Sequence, residues 1–290
     1  MKAGTELLDS STASRREAFG LAHKFSLTME FLRSSFLIML AHRVRYMVGV
    51  LNYMTYVAVN YYLWEALYAG VPAGEARAGY TLAEMSTYVS VGWIMRSAYF
   101  SNADNILAAR INKGEINSDL LRPVSLFLQF YGAALGEAIF RAIFMALPVL
   151  ALALLVFNIA PPANALAAVC FSYSVLLAFH IFFAINFLTG LVAAWTEKIQ
   201  GFLWAKFMLL QFLSGLLFPL SYLPPYLERI FGMLPFKGMS YTPLQIYLGR
   251  ITGEHLRDEL IVQTLWTMAL LWLCDFMWSR VRRRLETLGG

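Results

Sequence analysis

Charge is scarce in this 290-residue chain: Asp, Glu, Lys and Arg together make 14% of it, against 59% hydrophobic residues. A soluble domain carries about 25% charged and 45–50% apolar residues, so water is not its main solvent. Cysteine is nearly missing as well. Cys170 and Cys274 are the only two, and each lies inside an apolar run, where a thiol behaves as a small hydrophobe. A disulfide framework is excluded, and a metal site is not expected.

Several chemical signatures are also lacking. The stretch GxxxxGK[ST], whose amides and lysine hold nucleotide phosphates, does not occur, and neither does HExxH or GxSxG. If ATP powers this protein, another chain is expected to bind it. An intramembrane hydrolase needs converging polar side chains that the sequence does not display. The first twenty residues, including Arg15, Arg16 and Glu17, lack the apolar core of a cleavable signal. The first span should therefore direct insertion.

What is present is a series of apolar runs near the roughly 20 residues that cross a bilayer. The expected fold class is all-α, a polytopic membrane protein with six transmembrane helices. Spans are expected at about 46–68, 82–103, 126–157, 165–194, 202–220 and 260–279, within a membrane domain at 24–280 flanked by cytoplasmic tails at 1–23 and 281–290. The second is the most diluted, by Ser86, Thr87, Ser90, Arg96, Ser97, Ser101 and Asn102. Such residues face protein or a cavity in preference to lipid. Before the first span, Phe25, Met29, Leu32, Phe36 and Met39 recur at helical spacing. That pattern predicts an N-terminal interfacial helix over 24–41.

The third helix starts near Pro123, a residue suited to a first turn, and runs apolar to Phe157. At 1.5 Å per residue that is about 50 Å, longer than a hydrocarbon core of about 30 Å. It must protrude or tilt, and Pro148 allows a kink. After the fifth span Pro219, Pro224, Pro225, Pro235 and Pro243 punctuate short amphipathic pieces, which predicts a compact external segment. Of the 23 Lys and Arg, sixteen fall on the side of the N-terminus, five on the other, and two inside helices. Basic loops mark the cytoplasmic face, so both termini are expected there. The net charge of +5 is explained by this bias. No basic face with stacking aromatics suggests nucleic acid.

The segment from Ile106 to Pro123 orders itself as a knob between the second and third spans: Ile106, Leu107 and Ile111 share a helix face, and Gly114 breaks it. Its sequence, Ile111-x-Lys-Gly-Glu-Ile-x-x-Asp-Leu-Leu-Arg-Pro123, resembles the signature of ABC-2 type permeases, the membrane subunits of one class of ATP-binding-cassette exporters. A second stretch, Ser214-Gly-Leu-Leu-Phe-Pro-Leu-Ser-Tyr-Leu-Pro-Pro225, with Leu234-Pro-Phe and Tyr241-Thr-Pro243, is similar to that family's re-entrant external segment. Gly215 and the five prolines above belong to it.

The resemblance implies a coupling helix that docks on a nucleotide-binding subunit, with Ile111, Lys113, Gly114, Glu115, Asp119, Leu120, Leu121 and Arg122 forming or flanking the contact. It implies two ATPase subunits carrying ATP and Mg, a second permease that is identical or related, and no cofactor in this chain. The location implied is a bacterial inner membrane, and the function is outward transport of a hydrophobic or amphipathic substrate. A different class of function, a non-transporting six-span scaffold that recruits a cytoplasmic partner, explains the basic segments equally well.

Ionisable groups inside membranes are costly enough to require a reason. Glu137 and Arg141 are four apart with Glu first, the favoured order for an ion pair; a structural pair and a role in the substrate path both fit. Arg96 is a possible partner for Glu137. His180 stands alone on an apolar face, where an interhelical hydrogen bond is the simpler reading beside proton relay. Asp275 is expected to pair with the arginines after it. Gly49, Tyr53, Tyr56, Asn60 and Tyr61 form a stripe suited to helix packing or to a dimer-facing surface.

Overall fold

The computed structural model describes residues 23–72, 74–116, 125–196 and 198–288. Among them every regular element is helical, and the one β-bridge joins Arg77 to Tyr80 across a turn. The helices are α1 (23–41), α2 (Arg43–Tyr68), α3 (Leu82–Tyr99), α4 (Ala103–Asn112), α5 (Leu126–Val156) and α6 (Ala165–Leu191). They continue with α7 (Gln200–Leu213), α8 (Pro225–Met233), α9 (Tyr241–Tyr247) and α10 (Gly253–Leu288).

Three of these, at Leu126–Val156, Ala165–Ala194 and Gly253–Arg284, are long and apolar enough to cross a membrane. They include the expected third, fourth and sixth spans. The others fall short for separate reasons. α2 has 26 residues, but Asn52, Thr55, Asn60 and Glu65 interrupt its apolar character. α3 carries the predicted dilution, and those residues face inward: Ser86, Thr87, Ser90, Arg96 and Ser97 are all buried. It ends at Tyr99 and not near 103, because Phe100 takes an extended conformation and opens a joint before α4.

α7 departs most from expectation. A helix to residue 220 is predicted, yet it stops at Leu213, 14 residues long or about 21 Å. Gly215 has φ +74°, a left-handed conformation that glycine adopts without steric cost, and the chain turns there. The carbonyls exposed by the turn are covered: Tyr88 Oη donates to Gly215 O at 2.5 Å, and Tyr241 N donates to Ser214 O at 2.9 Å.

α5 is interrupted by a π-helical turn over Ala142–Ala146. Pro148, four residues beyond Phe144, has no N–H to give and would crowd the carbonyl of that residue. The wider turn takes up this mismatch, so the distortion lies ahead of the proline. The helix itself begins at Leu126 after Ser125, while Pro123 lies outside the described residues. α10 is longer than its predicted span at both ends, with 36 residues.

The core is aromatic. Phe182, Phe183, Phe187 and Phe140 are buried, and Phe127, Phe183 and Phe187 stack in mutual edge and tilted contacts. The stripe on α2 turns mostly inward: Tyr53 is buried, Tyr56 stacks on Trp93 with centroids 4.5 Å apart, and Tyr61 packs on Phe157. Outside this core, Leu51, Val59, Leu155, Val169, Trp204, Met208, Leu265 and Trp272 are all more than half exposed. A surface so apolar is stable only against hydrocarbon.

α1 crosses α5 at Gly132 and Gly136. A Cβ at Gly132 would stand 2.7 Å from Thr28 O, and one at Gly136 would collide with Leu32 O. Small residues four apart let two backbones meet where lipid offers no hydrophobic drive. Gly136→Ala should therefore push α1 away and cost about 1–3 kcal/mol, seen as a lower thermal midpoint of the purified chain. Gly201→Ala, where nothing lies within 4 Å of the added Cβ, should leave the midpoint unchanged or raise it.

Candidate functional site

α4 is the knob predicted from sequence, beginning at Ala103, three residues before Ile106. Ala103, Asp104, Leu107, Ala108 and Ile111 form its buried face, while Ile106 is exposed. Asp104 in the first turn and Arg110 in the last suit the helix dipole. The buried face lies on α6 at Gly190, where an added Cβ would stand 2.9 Å from Leu107 Cβ and 3.0 Å from Asp104 O. Gly114, with φ +72°, ends the helix, and its N–H donates to Ile111 O at 3.1 Å. Ile111 and Ile116 are buried on either side of the turn. Lys113 and Glu115 point outward, 3.9 Å apart with more than half of each side chain exposed. Asp119, Leu120, Leu121 and Arg122 lie outside the described residues.

From the root of α4 a buried polar chain runs across the molecule. Lys206 of α7 pairs with Asp104 and donates to Asn186 Oδ1 of α6 at 2.5 Å. Asn186 Nδ2 donates to Ser101 O, and Ser101 Oγ to Glu137 Oε2 of α5, each at 2.9 Å. Glu137 Oε1 accepts from Arg141 Nε at 2.8 Å. Six side chains thus link α4, α7, α6, the joint after α3 and α5 without a break. The paired side chains are 6–11% exposed, so the surroundings are of low dielectric and each bond is strong, while any orphaned member is costly.

Arg96 does not partner Glu137, whose two oxygens are taken by Arg141 and Ser101. It is 3% exposed, with Cζ 4.1 Å from the Phe182 ring centroid and 5.4, 5.5 and 5.8 Å from those of Phe100, Tyr99 and Phe207. Among the described residues neither terminal nitrogen has a hydrogen-bond partner. His180 is bonded between helices: its Nε2 lies 2.9 Å from Tyr131 Oη, and its Nδ1 2.7 Å from Leu176 O. Among the described residues Asp275 enters no ion pair; Arg280 and Arg284 lie instead over Phe276 and Trp195.

In the segment after α7, each proline stands at or near the start of a helical turn. Pro219 precedes Leu220–Tyr222, Pro224 and Pro225 open α8, Pro235 opens the turn Pro235–Met239, and Pro243 lies in the first turn of α9. The missing N–H is harmless at such positions. The segment is hooked to α3 at both ends. Gln245 Nε2 donates to Tyr80 Oη just before the helix, and Tyr99 Oη at its far end donates to Met239 O at 2.9 Å.

The model of the ABC-2 family transporter proteins matches residues 54–289, most of the chain. The chain belongs to that family. No curated protein matches it. An ABC-2 protein is a membrane component of transport, not itself catalytic, and its family associates with an ABC ATPase subunit. In this ABC-2 chain, sequence reasoning missed Asp104, Asn186 and Lys206, because each looks unremarkable in its own helix. Lys206 gave the one available signal, a lone cation in an apolar run; no spacing rule points it to residues 20 and 102 positions away.

Truncating one partner of a buried pair leaves the other charged and unpaired. Asp104→Asn and Lys206→Met should each lower stability by about 3–5 kcal/mol, and the double variant should recover a large part. Thermal unfolding of the four proteins checks this, and strictly additive losses would contradict the pairing.

Proposed function

We propose that this ABC-2 protein is the permease subunit of an exporter in the plasma membrane of a bacterium, crossing it six times with both termini in the cytoplasm. A separate nucleotide-binding subunit, in two copies, carries ATP and Mg, and a second permease, identical or related, completes the transporter. The cargo is a hydrophobic or amphipathic molecule moved outward.

The six crossings are supported by α2, α3, α5, α6, α7 and α10 together with their apolar exposed side chains. The short α7 is consistent with this because the segment after it returns into the same layer. Its contacts with Tyr80 and Tyr99 lie beyond and at the two ends of an 18-residue helix, about 27 Å apart along the axis, nearly the thickness of the hydrocarbon core. Three of the five cations assigned outside are paired. Lys237 pairs with Glu259, Arg250 with Glu84 and Arg257 with Asp258, which weakens their effect on orientation.

One observation carries the mechanism: α4 offers an exposed turn on one side, and on the other the buried Asp104–Lys206 pair, with Asn186 on the same ammonium, ties it to α7 and α6. ATP binding would draw the nucleotide-binding subunits together and press on the turn of Lys113, Gly114 and Glu115. α4 then moves as a lever, since Leu107 and Ile111 are packed and cannot yield. Asp104 carries the load to α7 through Lys206, and Ser101 carries it to α5 through Glu137. The path lining shifts accordingly.

Gly114→Val, strained at a left-handed φ, should cut substrate-stimulated ATP turnover of the assembled complex by roughly twofold to thirtyfold without dissociating it. A scaffold has no stimulated turnover to lose. Lys113→Cys should react with an impermeant thiol reagent only from the side of the N-terminus. Reaction only from the opposite side, or failure of the chain to associate with its ATPase, would overturn the reading.

A further inference from the structure

Among the described residues the buried charges around the joint between α3 and α4 do not balance. Arg96, Arg141 and Lys206 are three cations, and Asp104 and Glu137 are the two carboxylates they meet. Both carboxylates are taken, which leaves Arg96 as the excess. A bare guanidinium at such depth loses its hydration at a high cost. Rings within 4.1–5.8 Å return only part of it. A guanidinium pairs best with a planar or tetrahedral oxyanion, and among the described residues no carboxylate bonds to it.

The space around Arg96 limits where that anion comes from. On one side Arg96, Tyr99, Gln211, Ser214 and Ser240 line a crevice too tight for a water molecule. On the other, Phe100, Phe182 and Phe207, the rings under the guanidinium, form part of the wall of a cavity of about 530 Å³. Tyr56 and Trp204 continue that wall, and Trp204 is largely exposed at its edge. The rest of the wall is polar, with Ser101, Asn102, Asn186, Gln200 and Lys206 among its residues, so a cavity of this size fits an amphipathic body whose apolar part lies against the rings.

We propose that Arg96 anchors the anionic group of an amphipathic ligand whose hydrocarbon lies in this cavity against Tyr56, Trp204 and Phe207. Arg96 itself stands behind this wall, so the oxyanion reaches the guanidinium when the rings of Phe182 and Phe207 part, and so balances the cluster. Two sources share this chemistry, a transported amphipathic acid and an anionic phospholipid of the bilayer. The inference rests on the transport reading only in naming the acid as cargo, because binding itself requires no ATPase.

The purified full-length chain in neutral detergent provides the test. Dibromostearate and its methyl ester are titrated while tryptophan fluorescence is read, with Trp204→Phe identifying the local signal. The acid should bind at least about tenfold more tightly than the ester, a difference of about 1.4 kcal/mol, and Trp204→Phe should lose most of the quenching. Arg96→Gln should abolish the preference and Arg96→Lys should keep part of it. Equal binding of acid and ester by the unaltered chain overturns the proposal even if Arg96→Gln does not fold, and so does a preference that survives in Arg96→Gln. Chain in bilayers of dibrominated phosphatidylglycerol or phosphatidylcholine separates the sources. Quenching specific to the anionic lipid and not displaced by stearate assigns the site to lipid; displacement assigns it to cargo. An acid preference in a chain that does not associate with an ATPase upholds this site and removes the transport reading, and the converse result does the opposite.

Discussion

The ion pair between Asp104 and Lys206, with Asn186 on the same ammonium, is the joint on which the architecture turns. Three helices meet there, and each brings a group that would be intolerable alone in an apolar setting. The pair fixes the azimuth of α4, because Asp104 must face inward, and Leu107 and Ile111 then fall on α6 along the same face. The Gly114 turn is thereby held outward. Exposure of Lys113 and Glu115 is a consequence of what happens ten residues earlier, not of their own polarity.

The same constraint shapes the segment after α7. Short helices and turns leave more carbonyls unpaired than one long helix does, and in an apolar layer each needs a donor. Tyrosine serves repeatedly: Tyr88 for Gly215, Tyr99 for Met239, Tyr247 for Ala160. Burial pushes the hydroxyl of Tyr247 above its ordinary value, so it stays protonated and continues to donate at any physiological pH. Gln263 does similar work from α10, donating to Gly238 O and Ser174 O, each at 2.8 Å. Aromatic residues here are both packing material and hydrogen-bond donors, which explains the tolerance of so many prolines and broken turns.

Much of the fold was legible because apolar length and helical period act locally. The runs from Leu126 and Ala165, and the run ending in Arg280 to Arg284, each declare a helix without reference to any other part of the chain. Gly114 announced its break for the same reason, since a glycine after a short apolar helix is a backbone signal. The truncation of α7 was not legible: residues 214–220 are apolar enough to continue the helix, and what stops them is a turn stabilised by Tyr88 and Tyr241. The Gly132 and Gly136 crossing had a visible signature, yet only α1 gives it a partner. The Glu137–Arg141 pair was legible from its spacing of four on one helix, whereas Arg96, a possible partner for Glu137 by its charge and level, finds both carboxylate oxygens taken.

By itself the sequence determined the solvent, since 59% hydrophobic residues in long runs cannot be hidden from water in a chain this size. It likewise determined the helical class, the place of the three longest apolar helices and the position of the knob, all of which depend on residues a few places apart. Apart from the Glu137–Arg141 pair within one helix, tertiary structure alone decided which charges meet. Asp104, Asn186, Lys206, Ser101, Glu137 and Arg141 come from four helices and a joint, and among the described residues Arg96 is left over once the buried carboxylates Asp104 and Glu137 are assigned. Charge balance is a property of a volume and not of a segment, so no local reading of the chain contains it.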